Sequence, residues 1–508
     1  MNNELKIGAC INYIAIALNL ATSLFLTPFI IQSLGLEEYG IFMLSNTVIV
    51  WLTLTDLGFG TTVSKYIITY RAKNQHEQQA HFLGQSILLY LAIAIITSGL
   101  GFFFFFKLDV IFPALTSSQF ETLEILYLLT LGNLILAIPM KPIGCIPGAY
   151  QKFVIPGVVQ LIATIIQTSL IIVLLLYGFK SIGLTVLMVV MNFILLVWRI
   201  YYSLSVLGAK IAFKSPDWAL YREMLGFSIW VFMNQIMDLF YWKAGAPVLA
   251  NTCGVVAVAL FTMGISFSRY FMTASTAISG VVSPKLMHMV AEGASKMQLT
   301  EVMIKAGRLQ LCVLMIILLG FVSHGMNFLS LWVGDTIQGN VFDVWLGALI
   351  VLVPLMLPLT QNVGIAILQS LNIHKGRAII LFYSSLLCVV IGAILSMYIG
   401  VIGMFIGTAI SLIMGQCIMI NIYYHKKAGL HIGLFFRKTF LPSILPTIIL
   451  SIIGYLFYSY IKIDTWGQFF ISASIYGAIS IAILFSIYLN PEEKRLFLSP
   501  FKKLFKIS

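Results

Sequence analysis

Charge is what this chain has least of. Only 9% of its 508 residues are Asp, Glu, Lys or Arg, and 60% are hydrophobic; an ordinary soluble domain is about a quarter charged. Too little charge is left to coat a water-facing surface, which excludes a soluble globular protein. The phosphate-binding pattern GxxxxGK[ST], the zinc pattern HExxH and the nucleophile pattern GxSxG are all missing. ATP hydrolysis and the familiar hydrolase chemistries therefore have no visible machinery, and the chain is expected not to be an enzyme. The six cysteines, Cys10, Cys145, Cys253, Cys312, Cys388 and Cys417, stand singly, without a CxxC pair or a His at ligand spacing. That argues against a zinc site, and no cofactor is expected beyond coupling to H⁺ or Na⁺, discussed below. The net charge of +12 raises nucleic acid as a partner, but basic residues in so apolar a chain report membrane orientation instead.

What the chain does have is long apolar runs. Each crossing of a hydrocarbon layer about 30 Å thick needs around 20 apolar residues, and such runs recur from Ile7 to Tyr488. They lack the two-residue alternation of a barrel strand, so the expected fold class is all-α integral membrane, with helices near 7–34, 39–69, 82–106, 121–140, 153–177, 182–206, 221–249, 254–284, 303–325, 342–365, 376–399, 402–424, 438–461 and 466–488. The first run is too long for a signal-peptide core and reads as a retained crossing. With the N-terminus inside, most of the 30 Lys and Arg fall at the two ends or in the even-numbered connections, and only Lys107, Lys180 and Lys462 face outward. This asymmetry predicts that both termini are cytoplasmic.

Five charges are left within the helices: Asp56, Lys65, Asp238, Lys243 and Arg269. A charge at the bilayer centre costs about 2.5–3.5 kcal/mol on insertion scales, so each must be paired or hydrated. On continuous helices, Asp56 and Lys65 point to opposite sides and Asp238 and Lys243 lie about 140° apart, so neither pair neutralises itself locally. Lys65 could also snorkel to the cytoplasmic surface.

A shift of 219 positions aligns TPFIIQSLG (27–35) with APVLANTCG (246–254), Pro139 with Pro358 and Gly157 with Gly376. The repeat predicts two parallel six-helix lobes, residues 1–214 and 215–428, with helices 13 and 14 in 429–490 and a basic amphipathic tail, 491–508, on the anionic inner leaflet. A site is expected between the lobes near the midplane. Its candidate lining comprises Asn46, Asp56 and Lys65 on helix 2, Asn234, Asp238, Tyr241, Trp242 and Lys243 on helix 7, and Arg269 between Ser266 and Thr273 on helix 8. One reading is a wet cavity for an anionic cargo, with Arg269 and Lys243 as counter-charges and Tyr241 or Trp242 as a stacking surface. The other is that an Asp pairs with Arg269 or Lys243 merely to hold the lobes in register. Of the seven His, His324 maps to an outer helix end and the rest to cytoplasmic ends or loops, where solvated roles are expected. Prolines 139, 142, 147, 354 and 358 should break helices 4 and 10.

The stretch LTPFIIQSLGLEEYGIFMLSNTVIVWLTLTDLGFGTTVSKYI (26–67), with its Leu-Gly helix end and EEYG turn, resembles the opening of the Wzx-like polysaccharide and O-antigen flippases of the multidrug/oligosaccharidyl-lipid/polysaccharide exporter superfamily. DLFYWKAGAPVLANTCGVVAVALFTMG (238–264) is similar to the start of that family's second half. The resemblance, which with the helix count spans the whole chain, implies a MATE-like two-lobed transporter. It would carry undecaprenyl-pyrophosphate-linked oligosaccharide repeat units to the outer leaflet of the bacterial cytoplasmic membrane, for O-antigen, capsule or exopolysaccharide assembly. It further implies lipid-linked oligosaccharide and membrane lipids as partners, with polysaccharide polymerase and chain-length machinery nearby. Three cations against two acids is a thin positive lining for a pyrophosphate. Two alternatives stay open: an exporter of small molecules driven by H⁺ or Na⁺ through Asp56 or Asp238, and a membrane glycan polymerase or glycosyltransferase, which the short outer loops disfavour.

Overall fold

The computed structural model describes residues 3–213, 218–337, 339–371 and 373–495. Helices connected by short turns make up these residues, and no strand occurs among them, as the uninterrupted apolar runs require in lipid. Among the described residues twelve stretches are long and apolar enough to cross a membrane, and the chain is a multi-pass membrane protein. The first of them, Cys10–Asp56, spans 47 residues, roughly 70 Å at 1.5 Å per residue and too long for one crossing. It breaks at Gly35, whose φ of 79° and ψ of 166° no helix tolerates. The helix Trp218–Trp242 is not among the twelve because Asn234, Gln235 and Asp238 lower its mean hydropathy. Dividing the first stretch at Gly35 and adding Trp218–Trp242 recovers about fourteen segments.

Several expected helices differ in continuity. Segment 39–69 is not one helix: helix runs to Leu52, a 3₁₀ turn covers Thr53–Asp56, and a new helix, Phe59–Ala72, starts after Leu57 (φ 50°) and Gly58 (φ 75°). Segment 221–249 likewise stops at Trp242 and resumes at Gly245–Thr252. The angular relations expected for Asp56 with Lys65, and for Asp238 with Lys243, assumed unbroken helices and do not hold across these breaks. The segment expected at 303–325 belongs to one 42-residue helix, Lys296–Ile337, about 63 Å long and so about twice the hydrocarbon thickness. Hydropathy registered only its apolar middle, whereas the helix continues through the helix-favouring polar run at its start. The proline-rich stretch after Ala137 splits as expected, into Ile138–Met140, Lys141–Gly144 and Ile146–Ala149, because each ring removes an N–H and crowds the preceding turn. Pro354 and Pro358, by contrast, do not break their helix, which runs unbroken from Val341 to Thr360, as packed membrane helices allow.

Two compact units emerge, Met1–Ala259 and Leu260–Ser508. The lobe boundary expected at 214/215 lies outside the described residues. In the first unit, Phe59, Val63 and Ile67, spaced four apart on one helix face, pack with Phe82, Leu83, Ile87 and Tyr90 of the helix His76–Phe105. Gly35 and Gly254, paired by the 219-residue shift, both take left-handed φ values, 79° and 83°. A side chain at either would strain the turn that ends its helix. In the second unit, His374–Ile399 folds back on Val401–Leu412. A Cβ added to Gly407 would sit 2.4 Å from the Gly392 Cα, and one on Gly403 would sit 2.3 Å from the Leu395 carbonyl carbon. Backbone contact this close is how helices associate in lipid, where apolar side chains gain nothing by leaving the solvent. A second core joins Leu311, Met315 and Leu319 to Leu450, Tyr476, Leu484 and Tyr488, attaching the last two membrane helices to Lys296–Ile337.

Candidate functional site

The break at residues 53–58 creates a buried charge. Asp56 closes the 3₁₀ turn and is 8% exposed. Its Oδ2 accepts a hydrogen bond from Lys141 Nζ at 2.8 Å. Lys141 stands between Pro139 and Pro142 in the interrupted fourth segment. That interruption brings the ammonium inward, although the sequence reading assigned Lys141 to a cytoplasmic connection. A lysine in a proline-broken membrane helix was the signal available, since such breaks occur where backbone is packed in protein or lines a cavity. Beside the pair, the Thr55 and Thr97 hydroxyls are 2.6 Å apart, and Tyr90, fully buried, lies within electrostatic reach of Asp56. Asp56 Oδ1 and the Tyr90 hydroxyl are both buried, make no hydrogen bond within 3.5 Å among the described residues, and lie close enough to interact with each other. A carboxylate with one oxygen bridged and one open can accept a proton or draw a cation.

The other candidates of this unit are spread along their helices. Asn46 donates to Phe42 O at 2.8 Å within its own helix. Lys65 and Asp238 are exposed, Asn234, Trp242 and Lys243 half-buried, and Tyr241 buried, its ring centroid 6.1 Å from that of Trp242. Lys65, Asn234, Asp238, Tyr241 and Lys243 all have interaction partners, so none is an isolated polar group. Trp51 meets Phe240 edge-on at 5.2 Å, and the Thr62 and Ser228 hydroxyls are 2.8 Å apart. The helix carrying Asn234 and Asp238 is therefore fastened to the segments flanking Asp56.

Arg269 lies on the helix Val255–Ala291 in the second unit. Ser266, Arg269, Thr276 and Gly280 are exposed along one face of that helix, with Thr262 and Thr273 half-buried beside them. The hydroxyls are turned back onto the helix: Ser266 donates to Thr262 O, Thr273 to Arg269 O and Thr276 to Thr273 O. Arg269 makes no ion pair with a described residue. In a chain this apolar, a polar face about five turns long that carries a guanidinium is a ready surface for a hydroxylated, anionic ligand.

Two polar clusters in the second unit escaped the sequence reading. Arg308 is buried and saturated: Nε and Nη2 hold the two carboxylate oxygens of Glu493 at 2.6 and 3.0 Å, Nη1 reaches Lys438 O at 2.7 Å, and Nη2 reaches Tyr488 O at 2.5 Å. The only signal for it was that Glu492 and Glu493 are the last acids of the chain; Glu492 pairs with Lys305 at 3.0 Å. His324 corrects an expectation. It is 4% exposed rather than solvated, with Nδ1 2.7 Å from Ser323 Oγ and Nε2 2.9 Å from Ser472 Oγ. Because its helix runs on to Ile337, His324 is interior to the helix, and Phe457, Phe469 and Tyr476 surround the ring.

Comparison with solved structures defines the class. The chain shares its fold with the lipid II flippase MurJ in an inward closed conformation, at a TM-score of 0.70 and 15% identity over 93% of this chain and 98% of that one. It is also similar to an inward-facing MATE multidrug transporter of the MOP superfamily, with a TM-score of 0.63 and 15% identity over 79% and 92%. The fold is thus that of the MOP-superfamily transporters. Within that class the polysaccharide biosynthesis protein family matches residues 12–290, more than half of the chain, and the protein belongs to this family. Among relatives, the uncharacterized membrane protein EpsK of Bacillus subtilis (strain 168) is 22% identical over 97% of both chains. A candidate O-antigen transporter of Salmonella typhimurium is 33% identical over 92 residues, 18% of this chain and 19% of its own.

Proposed function

We propose that this protein is a flippase. It moves undecaprenyl-pyrophosphate-linked oligosaccharide repeat units from the inner to the outer leaflet of the bacterial cytoplasmic membrane by alternating access, with both termini in the cytoplasm. The observation that carries this reading is the exposed polar face around Arg269 in a member of the polysaccharide biosynthesis family that has a transporter fold. A lipid-linked sugar has a pyrophosphate and a hydroxyl-rich head that cannot cross hydrocarbon unaided, while its tail needs no shelter from lipid. Crossing therefore requires donors that replace water around the head: a guanidinium for phosphate and hydroxyls for sugar. In the second unit Arg269 takes the first role and the oxygens of Ser266, Thr273 and Thr276 accept from sugar hydroxyls; in the first unit Lys243 is a further cation for phosphate, and Asn46, Asn234, Tyr241 and Trp242 serve the sugar. Polymerase and chain-length proteins are the downstream partners of such a carrier.

The test is surface glycan in cells making the chain with Arg269→Ala and Lys243→Ala together. The expected result is loss of surface polysaccharide and accumulation of lipid-linked repeat units on the inner leaflet, at unchanged protein level. Normal surface glycan would overturn the assignment. A second reading, an H⁺- or Na⁺-coupled exporter of small molecules, is favoured by the open carboxylate oxygen of Asp56. Under that reading loss of the protein gives drug sensitivity and no glycan defect.

A further inference from the structure

The short helix Ile432–Thr439 buries Ile432, Phe435 and Thr439 and exposes Arg437 and Lys438. It turns through Leu441–Ser443 into the apolar helix Ile444–Tyr460. At the junction, Phe436, Phe440, Leu441, Ile444 and Ile448 wall an open groove of about 500 Å³, with Arg437 at one end. The hydroxyl protons in the groove are committed, Ser443 donating to Phe440 O and Thr447 to Ser443 O, both at 2.7 Å, and the rest of the wall before Arg437 is hydrocarbon. Its occupant must therefore be apolar along its length and polar only where it meets Arg437.

That end is positive and uncompensated. Lys426, Lys427, Arg437 and Lys438 are all exposed, and none of them pairs with a described acid. Glu493, which Arg308 brings alongside Lys438 O, is committed to Arg308, and Glu492 beside it to Lys305. Arg437 is also presented from a fixed backbone, because Arg308 Nη1 binds Lys438 O at 2.7 Å and the Tyr488 hydroxyl donates to Thr439 O at 3.1 Å. Along the same stretch Leu441, Ile444, Leu445, Ile448 and Ile452 are each more than half exposed, as a lipid-facing surface is. The charge asymmetry of the chain places this basic turn on the cytoplasmic side, where the leaflet carries anionic headgroups.

We propose that this groove is a binding site for one anionic phospholipid of the inner leaflet, its phosphate on Arg437 with Lys438 beside it and one acyl chain along Phe440, Leu441, Ile444 and Ile448. Bulk leaflet lipid has direct access to the groove from the exposed face. The phosphodiester is common to both zwitterionic and anionic lipids, so selection rests on net charge: the cations around Arg437 favour a headgroup with no compensating positive group, and the apolar groove retains the chain.

The test uses the full-length protein in neutral detergent, with phosphatidylglycerol or phosphatidylcholine added and bound lipid counted by native mass spectrometry. The expected result is one tightly held phosphatidylglycerol and weaker phosphatidylcholine. Arg437→Gln should lower phosphatidylglycerol retention about tenfold, the weight of one charge-assisted contact, and Arg437→Lys should retain most of it. Thr447→Trp, which fills the groove, should expel the lipid without lowering the melting temperature. The proposal is overturned if Arg437→Gln holds phosphatidylglycerol as well as the wild type, if Arg437→Lys loses as much as Arg437→Gln, or if the two lipids bind alike. Displacement of phosphatidylglycerol by equimolar undecaprenyl phosphate would also overturn it, by assigning the groove to an isoprenoid chain.

Discussion

The two units each bury an ion pair, and the pairs are built differently. Arg308 and Glu493 leave nothing open: both carboxylate oxygens and the guanidinium nitrogens are bonded, and the Glu493 carboxylate also accepts Asn490 N–H at 2.8 Å. The side chains are 9% and 4% exposed. Asp56 uses one oxygen on a lysine that is itself 33% exposed, and its other oxygen makes no hydrogen bond within 3.5 Å among the described residues, with only the Tyr90 hydroxyl beside it as a looser contact. A saturated buried pair has one arrangement and locks it, whereas an unsaturated pair has interactions still to gain and can change partners as the protein moves. The first holds the C-terminal helices to Lys296–Ile337, and the second is the pair on which the proposed alternative of H⁺ or Na⁺ coupling rests.

Breaking the clamp should have the largest effect. Glu493→Ala leaves Arg308 buried and unpaired, with an expected cost of about 3–5 kcal/mol, read as a large fall in melting temperature of the detergent-solubilised protein. An unchanged melting temperature would mean that the guanidinium is hydrated and the clamp is not structural. Asp56→Asn should cost on the order of 1 kcal/mol, since Lys141 can reach water. Transport, followed as surface glycan, should nevertheless fall strongly. Adding Lys141→Gln should recover stability and leave transport impaired; full recovery of transport would reduce the Asp56 pair to a structural bond. Ser472→Ala should be mildest, about 0.5–1.5 kcal/mol, because His324 keeps its bond to Ser323. A loss as large as that of Glu493→Ala would show that the His324 cage, and not the Arg308 clamp, carries the attachment of the last helices.

Much of the fold was legible in the chain because lipid leaves few choices. A run of twenty apolar residues must satisfy its own backbone, and only a helix does so without a neighbour. The glycines at 35 and 254 marked helix ends for the same local reason. The break at 53–58 was harder to read. It depends on a left-handed Leu57 beside Gly58, a conformation leucine does not favour in isolation. Lys141 counts with the cytoplasmic connections because it falls one position past the expected helix 121–140, and nothing local states that an aspartate 85 positions earlier will meet it. His324 was placed at a helix end because hydropathy stops where the membrane does, while the helix continues.

The sequence by itself determined the solvent of this protein, the helical class, the approximate number of crossings and which few residues carry charge into them, since each follows from the transfer of one segment into hydrocarbon. Only the tertiary structure decided which of those charges are consumed by partners. Pairing depends on where helices break and which faces meet, and those are properties of contacts between residues far apart in the chain.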